Sequence, residues 1–170
     1  TVTGGQPIQT DFTAPEVSSI SFSDTTTLSE FTQAAGEKLQ IYYDASDIGS
    51  GINYLSIGFR DEVSGQSFSG YDYDRDGIIT IHLSDSLFAG DYYLTDMNIY
   101  DDNYRQNHTS YSKNGTKTSR TWNEQENTWD YFTSLSSLSA KDFKLTVTGG
   151  QPIQTDFTAP EVSSISFSDT

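Results

Sequence analysis

The first 25 residues, TVTGGQPIQTDFTAPEVSSISFSDT, recur letter for letter from Thr146 to Thr170. Identity over that length does not arise by chance, so the chain reads as a window on a tandem array with a period of 145 residues, a duplication introduced in cloning being the alternative. A module repeated in series favours length, stiffness or multivalency over turnover. The period matches one domain with a single core. The expected division is residues 1–12 as the end of a preceding repeat with its linker, 13–148 as one complete repeat, and 149–170 as the next linker and first strand. In that last piece Val162, Ile165 and Phe167 would form a strand with no core of its own, whose edge seeks a partner. Asp156 would lack the loops that complete its site.

All four prolines, Pro7, Pro15, Pro152 and Pro160, fall in the two copies of GGQPIQTDFTAP, which reads as a short, stiff linker. Beyond it, short alternating apolar runs separated by polar turns predict an all-β fold, an antiparallel β-sandwich. Val17 precedes a kink, and Ile20 and Phe22 point inward from a first strand; Leu39, Ile41 and Tyr43 share one face of KLQIYYDA. INYLSIGFR places Ile52 and Tyr54 inward and, after a slip, Ile57 and Phe59; QSFSGY and IITIHL follow. In GDYYLTDMNIYD, Tyr92 and Leu94 have the opposite parity to Met97 and Ile99, which implies a bulge at Thr95 and Asp96. FKLTVTG closes the repeat with Phe143, Leu145 and Val147. Seven or eight strands in about 135 residues is the immunoglobulin-like, Greek-key count. The segment from Asn107 to Ala140 exceeds what such a fold needs and reads as an irregular flap or a single helical turn. Its Trp122, Trp129, Tyr131 and Phe132 either cover a sheet edge or offer faces for sugar rings.

Lys and Arg number 9 against 24 Asp and Glu, a net charge of −15 that opposes nucleic acid and anionic lipid as partners. No apolar run suits membrane insertion. There is no cysteine, hence no disulfide framework and no thiolate metal site.

The placement of the acids is more informative than their sum. In a sandwich whose strands alternate in direction, loops alternate between two poles. Asp44 and Asp47 in DASDIGSGI, Asp72, Asp74 and Asp76 in YDYDRDG, and Asp101 and Asp102 in IYDDN then share the pole where Asp11 enters. Bare, such a cluster repels itself, and a hard divalent cation held by oxygens removes that penalty. Ca2+ is the expected ion. Zinc is disfavoured, since His82 and His108 are the only histidines and lie far apart in sequence. The loop from Asp72 has carboxylates at alternate positions and Gly77 at the sixth, as in a calcium loop, but Leu83 stands where the bidentate acid belongs. A solvated turn whose aspartates cap backbone amides is the alternative.

At these residues the chain resembles the tandem bacterial immunoglobulin-like repeats of very large secreted or surface adhesins. DFTAPEV supplies Asp11 and Pro15; SDIGSGI supplies Asp47, Ser50, Gly51 and Ile52; GDYYLTDMNIYD fits from Gly90 to Asp101; SLSSLSAKDFKLTVTG matches the closing segment. After Asp101 the expected Gly-Asn becomes DNYRQN, with two extra residues and Asn107 as the counterpart. The resemblance implies an extracellular, cell-surface extender repeat, stiffened by calcium at its joints with adjacent repeats. It would hold a distal adhesive region, suited to a surface glycan or to a host or abiotic surface, away from the cell and within biofilms.

Two other functions compete with this one. The first is a carbohydrate-binding module using Trp122, Trp129 and Tyr131. The second is a glycosidase built on paired acids, but carboxylates are so abundant here that a pair carries no information, and His82 near Asp85 reads as surface chemistry. The chain is therefore expected not to be an enzyme. The sequons at Asn107 and Asn114 receive no role.

Overall fold

The computed structural model describes residues 11–138, 143–153 and 161. The expectations for Asp156, Val162, Ile165 and Phe167 lie outside them. Eleven strands run through the described residues, which contain no helix: β1 (Glu16–Ser21), β2 (Glu30–Ala34), β3 (Lys38–Ser46), β4 (Ile52–Asp61), β5 (Ser67–Asp72), β6 (Ile78–His82), β7 (Gly90–Asp101), β8 (His108–Ser112), β9 (Thr116–Asn123), β10 (Thr128–Leu135) and β11 (Lys144–Thr148).

They form two sheets. The smaller has the order β1-β3-β6 and is wholly antiparallel. The larger is built on β7, with β4 and then β5 along one edge. The other edge of β7 is divided, because β11 pairs with Gly90–Tyr93 and β8 with Asp96–Tyr100. β2 adds to β11 in parallel, while β9 and β10 extend from β8. One core lies between the sheets, with Leu39, Ile41, Ile79 and Ile81 from the smaller and Leu55, Ile57, Phe59, Tyr92, Leu94, Met97, Ile99, Leu145 and Val147 from the larger. Phe22 stacks on Phe143 at 4.1 Å between ring centroids and closes one flank.

The parity change in β7 is real and has a mechanical cause. Phe59 faces Leu94 and Gly58 faces Asp96, so Thr95 is the extra residue. It sits where the opposite edge changes partner: Leu94 N–H donates to Phe143 O at 3.0 Å and Lys113 N–H to Thr95 O at 3.1 Å. One added residue lets a twelve-residue strand keep Tyr92, Leu94, Met97 and Ile99 all inside while serving two different neighbours.

Three expectations need correction. Tyr54 does not point inward; the register shifts between Ile52 and Tyr54, Leu55 takes the core position, and Tyr54 stacks on Tyr100 outside at 4.5 Å. The stretch from Asn107 to Ala140 is neither flap nor helical turn where described, but the strands β8, β9 and β10. They were hidden because neither β9 nor β10 buries a face, so no apolar alternation marks them. The strands among the described residues number eleven rather than seven or eight, and β2 carries no sequence signal because its one large apolar residue is Phe31.

The glycine pair after β11 belongs to the domain. Gly149 adopts φ 67°, and a Cβ on Gly150 would collide with the backbone of Leu87, Phe88 and Ala89. That close approach lets Gln151 N–H donate to Leu87 O at 2.8 Å and Gln151 O accept from Ala89 N–H at 3.0 Å. Gly150→Ala is expected to destabilise the repeat by about 1–3 kcal/mol through forced backbone movement, read as a lower urea midpoint with unchanged slope. An unchanged midpoint would show the contact to be slack.

Candidate functional site

The end of β3, the start of β4, the end of β7 and the start of β8 meet at the pole where Asp11 to Pro15 enter the domain. Asp11 is buried there. Its Oδ1 accepts from Thr13 N–H and Oγ1 at 2.8 and 2.7 Å, and its Oδ2 from Ser50 N–H and Oγ at 2.8 and 2.9 Å. Any side chain at position 49 would run into this carboxylate, which accounts for Gly49 in the SDIGSG turn.

Two amides hold the incoming backbone. The Asp11 carbonyl accepts from Asn103 Nδ2 and Asn107 Nδ2, both at 3.0 Å. The Asn107 Nδ2 also lies 3.1 Å from Thr13 O and 2.8 Å from Asp101 Oδ2, while its Oδ1 accepts from Trp122 N–H at 2.8 Å. Asn107 is fully buried and joins the linker, the end of β7 and the turn end of the β9–β10 ribbon. Between the two asparagines Tyr104, Arg105 and Gln106 are exposed, with Gln106 at φ 55°. Asn103 was not foreseen, and the only sequence signal for it is its spacing of four from Asn107 in DDNYRQN.

The structure brings three of the expected acids together: Asp11, Asp47 and Asp101. Asp47 Oδ2 accepts from Gly51 N–H at 2.9 Å, but its Oδ1 is buried with no hydrogen-bond partner. Asp101 is wholly buried. Desolvation, reinforced by the charges of Asp11 and Asp47, pushes its carboxyl up to about 7 against the amide bonds from Asn107 and Asn103. Burial and the neighbouring Asp11 raise Asp47 as well. Asp11 goes the other way: burial acts to raise it, yet the four donors of Thr13 and Ser50 together hold it below 3.8.

The other acids stand apart from this group. Asp72 is buried with its oxygens committed to Tyr43 Oη at 2.8 Å, Arg75 N–H at 2.8 Å and Gly77 N–H at 3.3 Å. Asp76 caps Ile78 N–H at 2.9 Å, and Asp74 is exposed. The positive charge at this turn comes from Arg75, which donates to Ile52 O at 3.2 Å and lies 3.8 Å from Asp102. Asp44 is exposed and accepts from Ser19 Oγ. Among the described residues no three acidic, histidine or cysteine side chains form a metal-binding group as they stand. The Asp47, Asp101 and Asp11 set still fits a hard cation in donor type. It offers only oxygens, one of them buried and unpartnered, and it concentrates charge that the protein does not neutralise.

The aromatic residues lie on the adjoining ribbon. Trp122 and Trp129 are cross-strand partners in edge contact at 5.2 Å. Arg105 stacks over Trp122 at 4.2 Å and Arg120 over Trp129 at 4.0 Å, so guanidinium groups cover an indole face of each. Tyr131, opposite Arg120, is exposed.

No family model, curated protein or solved structure matches the chain.

The two kinds of shift set opposite pH limits. Asp101 and Asp47 hold their protons more tightly folded than unfolded, so the stability they lend is complete below about 3.8 and lost as pH rises, for Asp101 through about 7. Asp11 lends stability above 3.8 that is lost as pH falls below it. In chelator the melting temperature should therefore fall between pH 5 and pH 8, and Asp101→Asn should flatten that fall. A flat wild-type profile would contradict the burial of like charges.

Proposed function

We propose that the chain is a calcium-stiffened spacer repeat with an immunoglobulin-like Greek-key sandwich, of the kind that extends bacterial surface adhesins. The parallel pairing of β2 with β11 and the order of strands around β7 support the fold reading. So does Tyr92, near the start of β7, whose buried hydroxyl donates back to Phe88 O at 3.1 Å in the manner of a tyrosine corner. The duplicated segment supports repetition, with adjacent repeats as the principal partners; the location outside the cell is what the resemblance to adhesin repeats implies.

One observation carries the calcium reading: Asp47 Oδ1 is buried without a partner beside Asp101 and beside the Asp11 of the incoming linker. Asp47, Asp101 and Asp11 would hold the ion, which supplies charge neutralisation and a bridge between linker and domain. Because it binds the folded state alone, the ion also stabilises by mass action. No helix among the described residues is long and apolar enough to cross a membrane, and the net charge of −15 disfavours nucleic acid. The reading includes no catalysis.

Calorimetric titration with calcium should show binding that weakens at least about tenfold, or about 1.4 kcal/mol, in Asp47→Asn. Small-angle scattering of a multi-repeat chain should give a longer maximum dimension in calcium than in chelator. Absence of heat together with identical scattering profiles would remove calcium from the account.

A glycan-binding reading has one observation in its favour, the exposed Tyr131 beside two arginine-capped tryptophans. Binding on a glycan array that disappears in Trp129→Ala would establish it. An array without signal would leave the ribbon a structural role.

A further inference from the structure

The domain grips the repeated segment at both ends, which fixes how far apart successive repeats can lie. Gln151 is held to the pole opposite the candidate site by hydrogen bonds with Leu87 and Ala89. Asp11 is held at the candidate pole by Asn103, Asn107, Thr13 and Ser50. With a period of 145 residues, Asp156 is the Asp11 of the following repeat, so only Pro152, Ile153, Gln154 and Thr155 separate the two grips. Five peptide steps at full extension reach roughly 17–18 Å. That is less than the length of β7 alone, twelve residues at about 3.4 Å each.

The surface beside Asp11 is not finished as a solvent face. Phe12 is 56 % exposed, Ile48 85 % and Phe132 61 %, and the three line one cleft between the incoming linker and the β9–β10 ribbon. We infer that this cleft is the seat of the preceding repeat, whose pole carrying Leu87 to Ala89 and Gln151 covers Phe12 and Ile48. The linker length selects this occupant: whatever leaves the grip on Gln151 must stand within those few steps of Phe12. Contact between repeats is then imposed by chain length and apolar burial, and calcium adds to a joint already short. The inference rests on the tandem-repeat reading and is independent of metal binding.

The chain has no cysteine, so a protein of two complete periods takes a spin label cleanly at Thr80→Cys in each repeat, on the exposed side of β6. In chelator the label-to-label distance should form one narrow peak. Inserting Gly-Ser-Gly-Ser between Thr155 and Asp156 lengthens the reach by about 13–14 Å and should broaden that peak at least twofold. Phe12→Ser with Ile48→Asp should broaden it comparably, while each repeat keeps its own melting temperature because both side chains are exposed. A peak as broad in wild type as in the insertion variant would overturn the inference, as would one indifferent to the Phe12 and Ile48 changes or narrow only with calcium. A narrow peak in chelator from a protein that gives no calorimetric heat with calcium would support the contact and reject the metal.

Discussion

The carboxamide of Asn107 is the point through which the upper end of this domain is assembled. It reaches Asp11 O and Thr13 O in the incoming chain, Asp101 Oδ2 at the end of β7, and the N–H of Trp122 in the ribbon. Segments more than ninety residues apart in sequence are thereby fixed against one another inside a protein core. A linker left loose at this pole would retain conformational entropy, of order 1–2 kcal/mol per residue. Here that freedom is surrendered in exchange for buried hydrogen bonds, each carrying a penalty if left unmade. The linker therefore begins as part of the domain, and the same holds at the other pole, where Gly150 allows Gln151 to lie against Leu87.

Drawing the linker in has an electrostatic consequence. Asp11 cannot approach Asn107 without approaching Asp101 and Asp47, and the fold compensates for only part of the resulting repulsion. Asp11 is satisfied by four donors, Asp101 is raised to about 7, and one oxygen of Asp47 has nothing to accept from. The joint is consequently the place where solution conditions act most strongly on stability. Protons and divalent cations relieve the same strain and should compete for it.

Much of this was visible in the residues, and what was missed shares a physical reason. The bulge at Thr95 could be read from parity because β7 buries one face along its whole length. β9 and β10 could not, since Trp122, Arg120 and Trp129 stabilise one another through stacking on a surface open to water. Tyr54 and Leu55 are both plausible core residues, and only the register shift after Ile52 decides between them. Of the acids assigned to the pole, Asp11, Asp47 and Asp101 are together. Asp72 occupies a turn of its own, where Tyr43 and the amides of Arg75 and Gly77 take up its charge. Strand alternation places loops at a pole, but it does not say which side chains turn toward one another there. The asparagines were the least legible part. A carboxamide carries no charge and leaves no mark in composition, yet Asn103 and Asn107 organise the site.

Amide hydrogen exchange at Ser50 and Trp122 tests this arrangement most directly, because these N–H groups donate to the Asp11 carboxylate and to the Asn107 amide oxygen. If the linker is an integral part of the domain, both should exchange as slowly as the central amides of β7, without added metal and at low salt. Exchange at the rate of an exposed loop, with β7 still protected, would mean that the linker frays from an intact domain, and the account of this pole would fail.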